Sequence, residues 1–291
     1  MPDWITQFPE NFYINIKEPI DRALDYMIQN WAPFFDVIKT VLRTFLNSIS
    51  FVINLMPWWF LIILIFFLTL KMTRSLKNAI IYSVMLLFIG AIGLWDLMYQ
   101  TLAIVIASVI ISLVIGFPVG ILISYSKGAS AAVRPILDTM QTMPSFVYLI
   151  PAVMLLGLGN VPAVLATTIY AIPPVVRMTS LGIRQVDTEV VEAATSFGST
   201  KFQALIKVQL PQAMPTIMAG VNQTIMMSIA MVVTCSMIGA SGLGSEVLTG
   251  INRLESGRGF AAGAAIVILA IIIDRLTQSI FKKRDGETHE L

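Results

Sequence analysis

The residues with the most informative types and spacing lie in a polar segment inside the apolar second half of the chain. Glu192-Ala193-Ala194 comes first, Gly198 follows, and nine residues later the segment ends in Val208-Gln209-Leu210-Pro211. Good helix formers on both sides of Gly198 predict two short helices that meet at a turn, where glycine tolerates a backbone conformation that other residues disfavour. Pro211 is expected to end the second helix, and Pro215 to begin the next apolar helix.

The chemistry of this segment favours docking over catalysis. The small side chains of Ala193 and Ala194 leave room for the surface of a partner to approach the backbone closely. An amphipathic loop that lies on lipid headgroups would show similar helix chemistry, and this is the alternative interpretation. The complete spacing, E-A-A-x-x-x-G-x9-(I/V)-x-L-P, favours a docking segment.

The sequence offers no set of residues for ATP hydrolysis or other catalysis. No stretch matches G-x-x-x-x-G-K-(S/T), and the nearest string, Gly198-Ser199-Thr200-Lys201, lacks the upstream glycine. The single histidine, His289, lies in the polar tail, and the single cysteine, Cys235, excludes a multi-cysteine metal site. We therefore expect this chain to be no enzyme and to bind no cofactor and no metal.

A second group of polar and aromatic residues lies in apolar stretches that prolines interrupt. Prolines free backbone carbonyls, which a membrane helix tolerates where it packs against other helices or lines a cavity. Amide and hydroxyl groups there could offer polar edges, and aromatic rings could meet a cation. The alternative is that the prolines bend packed helices, that the aromatics are core, and that the hydroxyls bond between helices. The candidate pathway residues are Gln141, Ser145, Phe146, Tyr148, Asn222, Ser228 and Thr234.

A glycine-rich segment, Ile238 to Val247, follows the last of these candidate pathway residues. Its composition predicts a flexible surface or re-entrant turn, and charged residues follow it closely. It could be only a turn, but we select it as the candidate contact for an external partner. The residues in this group are Gly242, Glu246, Arg253, Glu255 and Arg258.

Acidic residues are nearly absent from the apolar stretches. Asp138 is expected to pair locally with Arg134, four residues earlier on the same helix, and Asp274 is expected to anchor a helix end beside Arg275. Proton-coupled carriers usually need membrane carboxylates, so this scarcity counts against that class. The spacing from Gly116 to Gly120, and from Gly259 to Gly263, permits close approach of helices.

The elements that must position these residues are membrane helices. The chain has 291 residues, of which 56% are hydrophobic and 12% charged, against about 25% charged in soluble domains. The net charge of +2 does not suggest a nucleic-acid partner. Met1-Pro2-Asp3 lacks the basic start of a cleavable signal. Uncharged runs long enough to span a bilayer predict an all-α integral membrane protein with seven spans: 51–70, 79–95, 98–125, 135–157, 161–176, 216–240 and 259–281.

The first fifty residues differ from the rest. Apolar residues at helical spacing predict two amphipathic helices separated by Pro33, which lie in the membrane interface or brace the bundle; docking of a partner is the weaker alternative. The predicted organisation is an amino-terminal tail (1–50), two amino-terminal spans (51–95), a core domain (96–281) that includes a coupling loop (183–215), and a polar tail (282–291).

The positions of the basic residues predict the orientation. Lys and Arg collect after the first and last spans, between the third and fourth, and between the fifth and sixth. These connections fall on one side, which the positive-inside rule assigns to the cytoplasm. The amino terminus is then outside, and the Glu192 segment and the carboxyl terminus are inside. Lys39 and Arg43 are exceptions to this pattern.

The spacing of the Glu192 segment resembles the signature of permease subunits of ATP-binding-cassette importers. The runs 144–151 (PSFVYLIP) and 172–177 (IPPVVR) and the glycine-rich segment after Ile238 stand with it in order. Together they are similar to the glycine betaine/proline betaine permeases of osmoprotectant importers, over about residues 97–281. The loop signature is shared among importers generally, whereas the substrate depends on the other runs.

The resemblance implies a type I ABC importer permease fold in a prokaryotic cell membrane. It implies two copies of the permease, two copies of a separate ATPase that binds ATP and Mg²⁺, and an extracytoplasmic binding protein, expected to be separate because the chain ends at Leu291. Glu192, Ala193, Ala194 and Gly198 would form the coupling helix, and Leu210 and Pro211 would fix the return into the membrane. Another small solute, such as choline, carnitine or an amino acid, or a secondary transporter, is the alternative.

Overall fold

Helices connected by short turns make up the described part of the protein. The computed structural model describes residues 15–288, with side chains described up to residue 279, so His289 lies outside the described residues. An all-α fold, as predicted, is confirmed for this range. The helices are α1 (Lys17–Asn54), α2 (Trp58–Thr73), α3 (Leu76–Ala91), α4 (Trp95–Tyr125), α5 (Lys127–Thr142), α6 (Leu149–Leu156), α7 (Asn160–Arg184), α8 (Thr188–Ser196), α9 (Lys201–Ala204), α10 (Leu210–Cys235), α11 (Leu243–Asn252) and α12 (Ser256–Thr288).

Four helical stretches of the described chain are long and apolar enough to cross a membrane: α4, α7, the run Lys201–Ile238, and α12 to Ser279. Two bent pairs raise the number to six if each counts as one span. One joins α1 to α2 at 88°, and the other joins α5 to the segment Ser145–Leu156 at 111°. The sixteen residues of α3 fall short of the required length. The predicted count of seven spans is therefore not confirmed.

Helix α4 approaches α7 closely through small residues. A Cβ atom built on Gly120 would lie 2.6 Å from the Thr179 Cβ and 2.9 Å from the Val176 carbonyl oxygen, closer than real side-chain carbons come. Only glycine therefore fits here. One turn earlier, Gly116 meets Val175 in the same way. The predicted close approach at Gly116 and Gly120 is confirmed.

Hydroxyl groups add hydrogen bonds along the same interface. Ser108 Oγ donates to the Val164 carbonyl at 3.3 Å, and Ser112 Oγ donates to the Thr168 carbonyl at 3.2 Å. Both serines are fully buried. Small residues that bring backbones together, and hydroxyls that bond across helices, are the usual means of joining membrane helices, because lipid chains are as apolar as leucine.

Two sets of contacts define the ends of the bundle. At one end, Arg184 at the end of α7 donates to the carbonyl of Ile123 near the end of α4, and we call this the loop end. At the other, the Gly159 amide donates to the Ile238 carbonyl at 2.9 Å, and the Leu243 amide donates to Thr101 Oγ1 at 2.8 Å. We call this the far end. Helices α4, α7 and α10 run between the two ends.

The amino-terminal region forms one helix rather than the two that were predicted. Helix α1 continues through Pro33 from Lys17 to Asn54. Proline removes one backbone hydrogen bond, but its fixed φ is compatible with a helix, and the residues around Pro33 are exposed. The chain turns only at 55–57, so the first four residues of the predicted span 51–70 belong to α1.

The second half of α1 lies across the far end of the bundle. The Lys39 ammonium lies beside Gly157, which ends α6, and the Met56 carbonyl just after α1 accepts a hydrogen bond from Tyr99 Oη at 2.9 Å. Leu46 and Ile53 on this half are buried against the core. That this helix lies in the plane of the membrane interface remains a prediction.

Candidate functional site

The segment after α7 folds into two short helices, each with a side-chain cap. Asp187 accepts a hydrogen bond from the Glu189 amide at 2.9 Å and begins α8. Thr200 begins α9 through a capping box, in which Thr200 and Gln203 each bond the other's backbone amide, at 3.3 and 2.9 Å. Gly198 between the helices has φ +83°. The capping residues therefore determine this turn locally. The positive φ of Gly198 agrees with the prediction that glycine tolerates the backbone conformation of the turn.

The outer surface of this segment is exposed and carries two large aromatic side chains among polar residues. No residue of α8 is buried, and Glu192 and Ala193 are exposed while Ala194 is half-buried. Phe197 is 92% exposed and Phe202 is 69% exposed. Contiguous exposed apolar side chains rimmed by polar residues mark interaction sites. We call the exposed face of residues 189–202 the loop surface.

The underside of the same segment is fixed to the bundle. Val186 and Leu205 are buried together with Ile183, Ala213 and Ile217. These residues come from the end of α7, the turn before α8, the turn after α9 and the start of α10. The loop surface is therefore anchored on both sides by the two helices that it connects, and a displacement of one moves the other.

Pro211 does not end a helix, contrary to the prediction. The helical run is continuous from Lys201 to Ile238, and a π-helical turn at Leu205–Gln209 precedes the proline. A proline ring clashes with the carbonyl four residues earlier in a regular α-helix, and a wider π turn displaces that carbonyl. Leu210 and Pro211 therefore lie inside one helix that links the loop surface to the span.

None of the candidate pathway residues lines any of three cavities in the described part of the chain. The cavities of about 560, 440 and 320 Å³ in the described part of the chain are lined by other residues. Gln141 and Phe146 are exposed, whereas Ser145 and Thr234 are half-buried. Their role as a pathway remains a prediction.

Three of these candidates already have partners within the chain. Tyr148 is buried, donates to the Met140 carbonyl, and packs edge-on against Tyr170 at 6.0 Å between ring centroids. Buried Ser228 donates to the Thr224 carbonyl at 2.9 Å. Asn222 donates to Asp274 at 2.7 Å, so Asp274 bonds a neighbouring helix and does not act only as an anchor beside Arg275. These contacts favour a packing role for the three side chains in this conformation.

An electropositive cavity at the loop end was not predicted. Asp138 pairs with Arg177 of α7, which corrects the expected pair with Arg134. The two remaining arginines, Arg134 and Arg184, leave this cavity of about 440 Å³ with net positive charge. Sequence spacing did not indicate it, because its residues come from three helices. It is lined by Ile123, Arg134, Leu137, Asp138, Arg177, Met178, Ser180, Leu181 and Arg184.

At the far end, Gly242 is not on the surface as predicted. It is buried, has φ +129°, and lies so close to α4 that an added Cβ would be 2.5 Å from Thr101 Oγ1. The glycine is needed here for both its backbone conformation and its small size. Gly242 therefore joins α11 to α4, and we withdraw it from the candidate partner contacts.

The charged residues that follow form a small network. Arg258 pairs with Glu246 through two nitrogens, one at 3.0 Å, and donates to Glu255 at 3.2 Å. The hydrogen bond from Arg258 lowers the pKa of the Glu246 carboxyl below its usual value. Arg253, Leu254 and Phe260 around this network are exposed, the last at 82%. The structure thus brings Glu246, Glu255 and Arg258 together at the far end.

Comparison with known proteins adds close relatives. The glycine betaine/carnitine transport permease protein GbuB of Listeria monocytogenes serotype 1/2a (strain 10403S) is 51% identical over 271 residues, 92% of this chain and 96% of that protein. The glycine betaine transport system permease protein OpuAB of Bacillus subtilis (strain 168) is 46% identical over 93% of this chain and 96% of that protein. The glycine betaine/proline betaine transport system permease protein ProW of Escherichia coli (strain K12) is 44% identical over 96% of this chain and 82% of that protein.

Solved structures and a family model give the fold and the family. An inward-facing structure of the MetNI methionine ABC transporter is similar at a TM-score of 0.57 and 24% identity, over 64% of this chain and 93% of that chain. This likeness confirms the predicted type I ABC permease fold. The family model for the binding-protein-dependent transport system inner membrane component matches residues 112–285. The chain therefore belongs to the family of binding-protein-dependent transport system inner membrane components.

Proposed function

We propose that this chain is the permease subunit of an ATP-driven importer of glycine betaine or a related quaternary-amine osmoprotectant. The observation that carries the proposal is the identity of 44–51% to three permeases named for glycine betaine, over more than nine tenths of this chain. The first of them is also named for carnitine and the third for proline betaine. Choline, carnitine or an amino acid is the alternative cargo.

A separate ATPase subunit is proposed to bind the loop surface, with ATP and Mg²⁺ held by that subunit. Phe197 and Phe202 present exposed rings that a groove on a partner would bury, and Glu192 and Ala193 are accessible beside them. Burial of one large aromatic side chain stabilises a complex by about 2 kcal/mol before the costs of association. The complete spacing E-A-A-x-x-x-G-x9-(I/V)-x-L-P favours docking over the alternative in which the segment only lies on lipid headgroups.

A second copy of the permease is proposed to complete the translocation pathway. Gln141 and Phe146, two of the candidate pathway residues, are exposed on the single chain. Pathways between two permease copies would place such residues at the interface. A binding protein outside the membrane is proposed to dock at the far end, where Arg253, Glu255 and Phe260 are accessible.

The loop end is proposed to face the cytoplasm of a prokaryotic cell, and the far end and α1 to face the outside. The concentration of lysine and arginine in the connections at the loop end supports this orientation. Closure of two ATPases would then move α8, and the anchored helices on both sides would carry that motion into the spans as a rigid-body rotation.

Reconstitution of the permease with its ATPase and binding protein in lipid tests the substrate. We expect glycine betaine to stimulate ATP hydrolysis, since bound cargo stabilises the conformation that closes the ATPases. Stimulation by choline, carnitine or an amino acid alone would change the substrate but retain the importer. If the tagged permease isolates no ATPase subunit, the secondary-transporter alternative is favoured and the proposal fails.

The Gly198 turn gives a sharper test of coupling. A β-branched residue at φ +83° is strained by about 1–3 kcal/mol, whereas asparagine tolerates positive φ. No atom lies within 4 Å of a Cβ added at Gly198, so the strain acts on the turn and not on packing. Gly198→Val should therefore reduce uptake per ATP hydrolysed, and Gly198→Asn should retain most of it. Equal transport by the two variants would contradict the coupling role of this turn.

A further inference from the structure

A second site lies at the far end, away from the loop surface and the candidate pathway. Helices α2, α3 and the start of α4 line a cavity of about 560 Å³ that is open on one side. Its walls are mostly apolar, and its one charged group is a carboxylate. The residues that matter are Trp58 and Ile62 of α2, Leu87 and Gly90 of α3, and Trp95 and Asp96 of α4.

Contacts with neighbouring elements hold the Trp95 ring and the corner of the chain next to Trp58. Tyr99 packs edge-on against Trp95 at 5.5 Å between ring centroids and donates to the Met56 carbonyl at 2.9 Å. Because Met56 is only two residues from Trp58, this bond fixes the corner that carries Trp58 to the helix that carries Trp95. At Gly90, an added Cβ would lie 3.4 Å from the Trp95 ring. The indole therefore lies directly against the backbone of α3.

Two indole rings and one carboxylate are a combination of groups that suits an organic cation. Indole faces attract organic cations, more strongly where water is excluded, and a carboxylate adds direct charge attraction. Asp96 makes no ion pair with any residue that the structure describes with its side chain. We propose that this cavity binds the ammonium headgroup of a membrane aminophospholipid, held between the rings of Trp58 and Trp95 and the Asp96 carboxylate.

The position of the cavity identifies a lipid as the source of the ammonium group. It lies at one end of α2 and α3, where Trp residues of membrane proteins meet the headgroups. The outward side chains of α2 and α3, among them Phe60, Ile63 and Val84, are apolar and exposed. Ile62 and Leu87 continue the apolar wall from the carboxylate along these helices, as an acyl chain attached to a headgroup requires. A free cation would not need that wall.

Native mass spectrometry of the permease in complex with its ATPase tests the site. The complex is taken from nanodiscs that contain phosphatidylethanolamine and phosphatidylglycerol in equal amounts, and the retained phospholipids are counted. We expect the wild type to retain phosphatidylethanolamine preferentially. Asp96→Asn should reduce that retention roughly five- to tenfold, because the charge attraction of the carboxylate is lost.

Variants on both sides of the cavity wall provide the controls. Gly90→Leu should displace the Trp95 ring, fill the cavity and abolish retention. Trp59→Leu changes an exposed tryptophan that does not line the cavity, so it should retain lipid like the wild type. If Gly90→Leu fails to fold, the Asp96→Asn variant alone tests the proposal. Asp96 is exposed and asparagine is nearly the same size as aspartate, so this variant should fold.

Two results would overturn the proposal. Retention of phosphatidylethanolamine by Asp96→Asn at the wild-type level would show that the carboxylate does not bind the headgroup. A titration of the delipidated complex with tetramethylammonium chloride, followed by tryptophan fluorescence, distinguishes the source of the ammonium group. Quenching that depends on Asp96, in a protein that retains no phosphatidylethanolamine, would make this a site for a free cation.

Discussion

Substitution of Gly120 by alanine should destabilise the bundle at the contact between α4 and α7. The added Cβ would lie 2.6 Å from the Thr179 Cβ, about 0.8 Å short of the 3.4 Å at which ordinary contact begins. The Val176 carbonyl at 2.9 Å blocks escape in the other direction, because a backbone atom cannot rotate away. Overpacking of this kind costs about 1–3 kcal/mol, and the better helix propensity of alanine returns up to about 1 kcal/mol. Because one of the clashing atoms belongs to the backbone, the cost lies in the upper part of that range, about 2–3 kcal/mol, and a net loss of about 1–2 kcal/mol follows.

Thermal unfolding of the purified complex in detergent measures this loss. At roughly 2–4 °C per kcal/mol for a chain of this size, Gly120→Ala should lower the melting temperature by several degrees. Gly263→Ala on α12 is the matched control, because no atom lies within 4 Å of its added Cβ and alanine favours the helix. If Gly120→Ala melts at or above the wild-type temperature while Gly263→Ala melts lower, the argument from close helix approach is refuted.

Two further predictions concern the far end. The hydrogen bond from Arg258 lowers the pKa of Glu246, so its stabilisation is complete above the unfolded carboxyl pKa of roughly 4.3 and is lost as the pH falls through the lower folded pKa. Glu246→Gln should therefore melt below the wild type at pH 7, and the difference should shrink in scans at successively lower pH; a constant difference would contradict this. Gly242→Ala should lower the yield of folded protein more than Thr101→Ala, because it adds backbone strain at φ +129° to a 2.5 Å clash. Size-exclusion chromatography of the detergent-extracted variants compares the two, and equal yields would argue against strain at this turn.

Features that depend on neighbouring residues in the sequence were predictable. The turn at Gly198 is set by local helix caps, and the closeness of α4 to α7 follows from glycines spaced four apart. The prolines of the segment 135–157 indicated an irregular span, whereas the structure divides it by a bend of 111°. The angle of that bend was not predictable, since packing against other helices determines it.

Features that depend on partners distant in the sequence were not predictable. Helical spacing assigned Asp138 to Arg134, but Arg177, 39 residues away, is its partner. The position of Pro211 predicted a helix end, because sequence pattern does not show that a π turn accommodates the ring. Gly242 was assigned to the surface from its glycine-rich neighbours, whereas contact with Thr101 buries it.

The continuous helix from Lys201 to Ile238 connects the loop surface directly to the far end of the bundle. Its 38 residues extend over about 57 Å at 1.5 Å per residue, from exposed Phe202 to the carbonyl that Gly159 bonds at the far end. Gly159 begins α7, and α7 returns to the loop surface, so the two helices form a closed frame that is joined at both ends. Because the two helices are joined at both ends, a tilt of one is passed to the other. A force applied at the loop end is thereby felt at the far end.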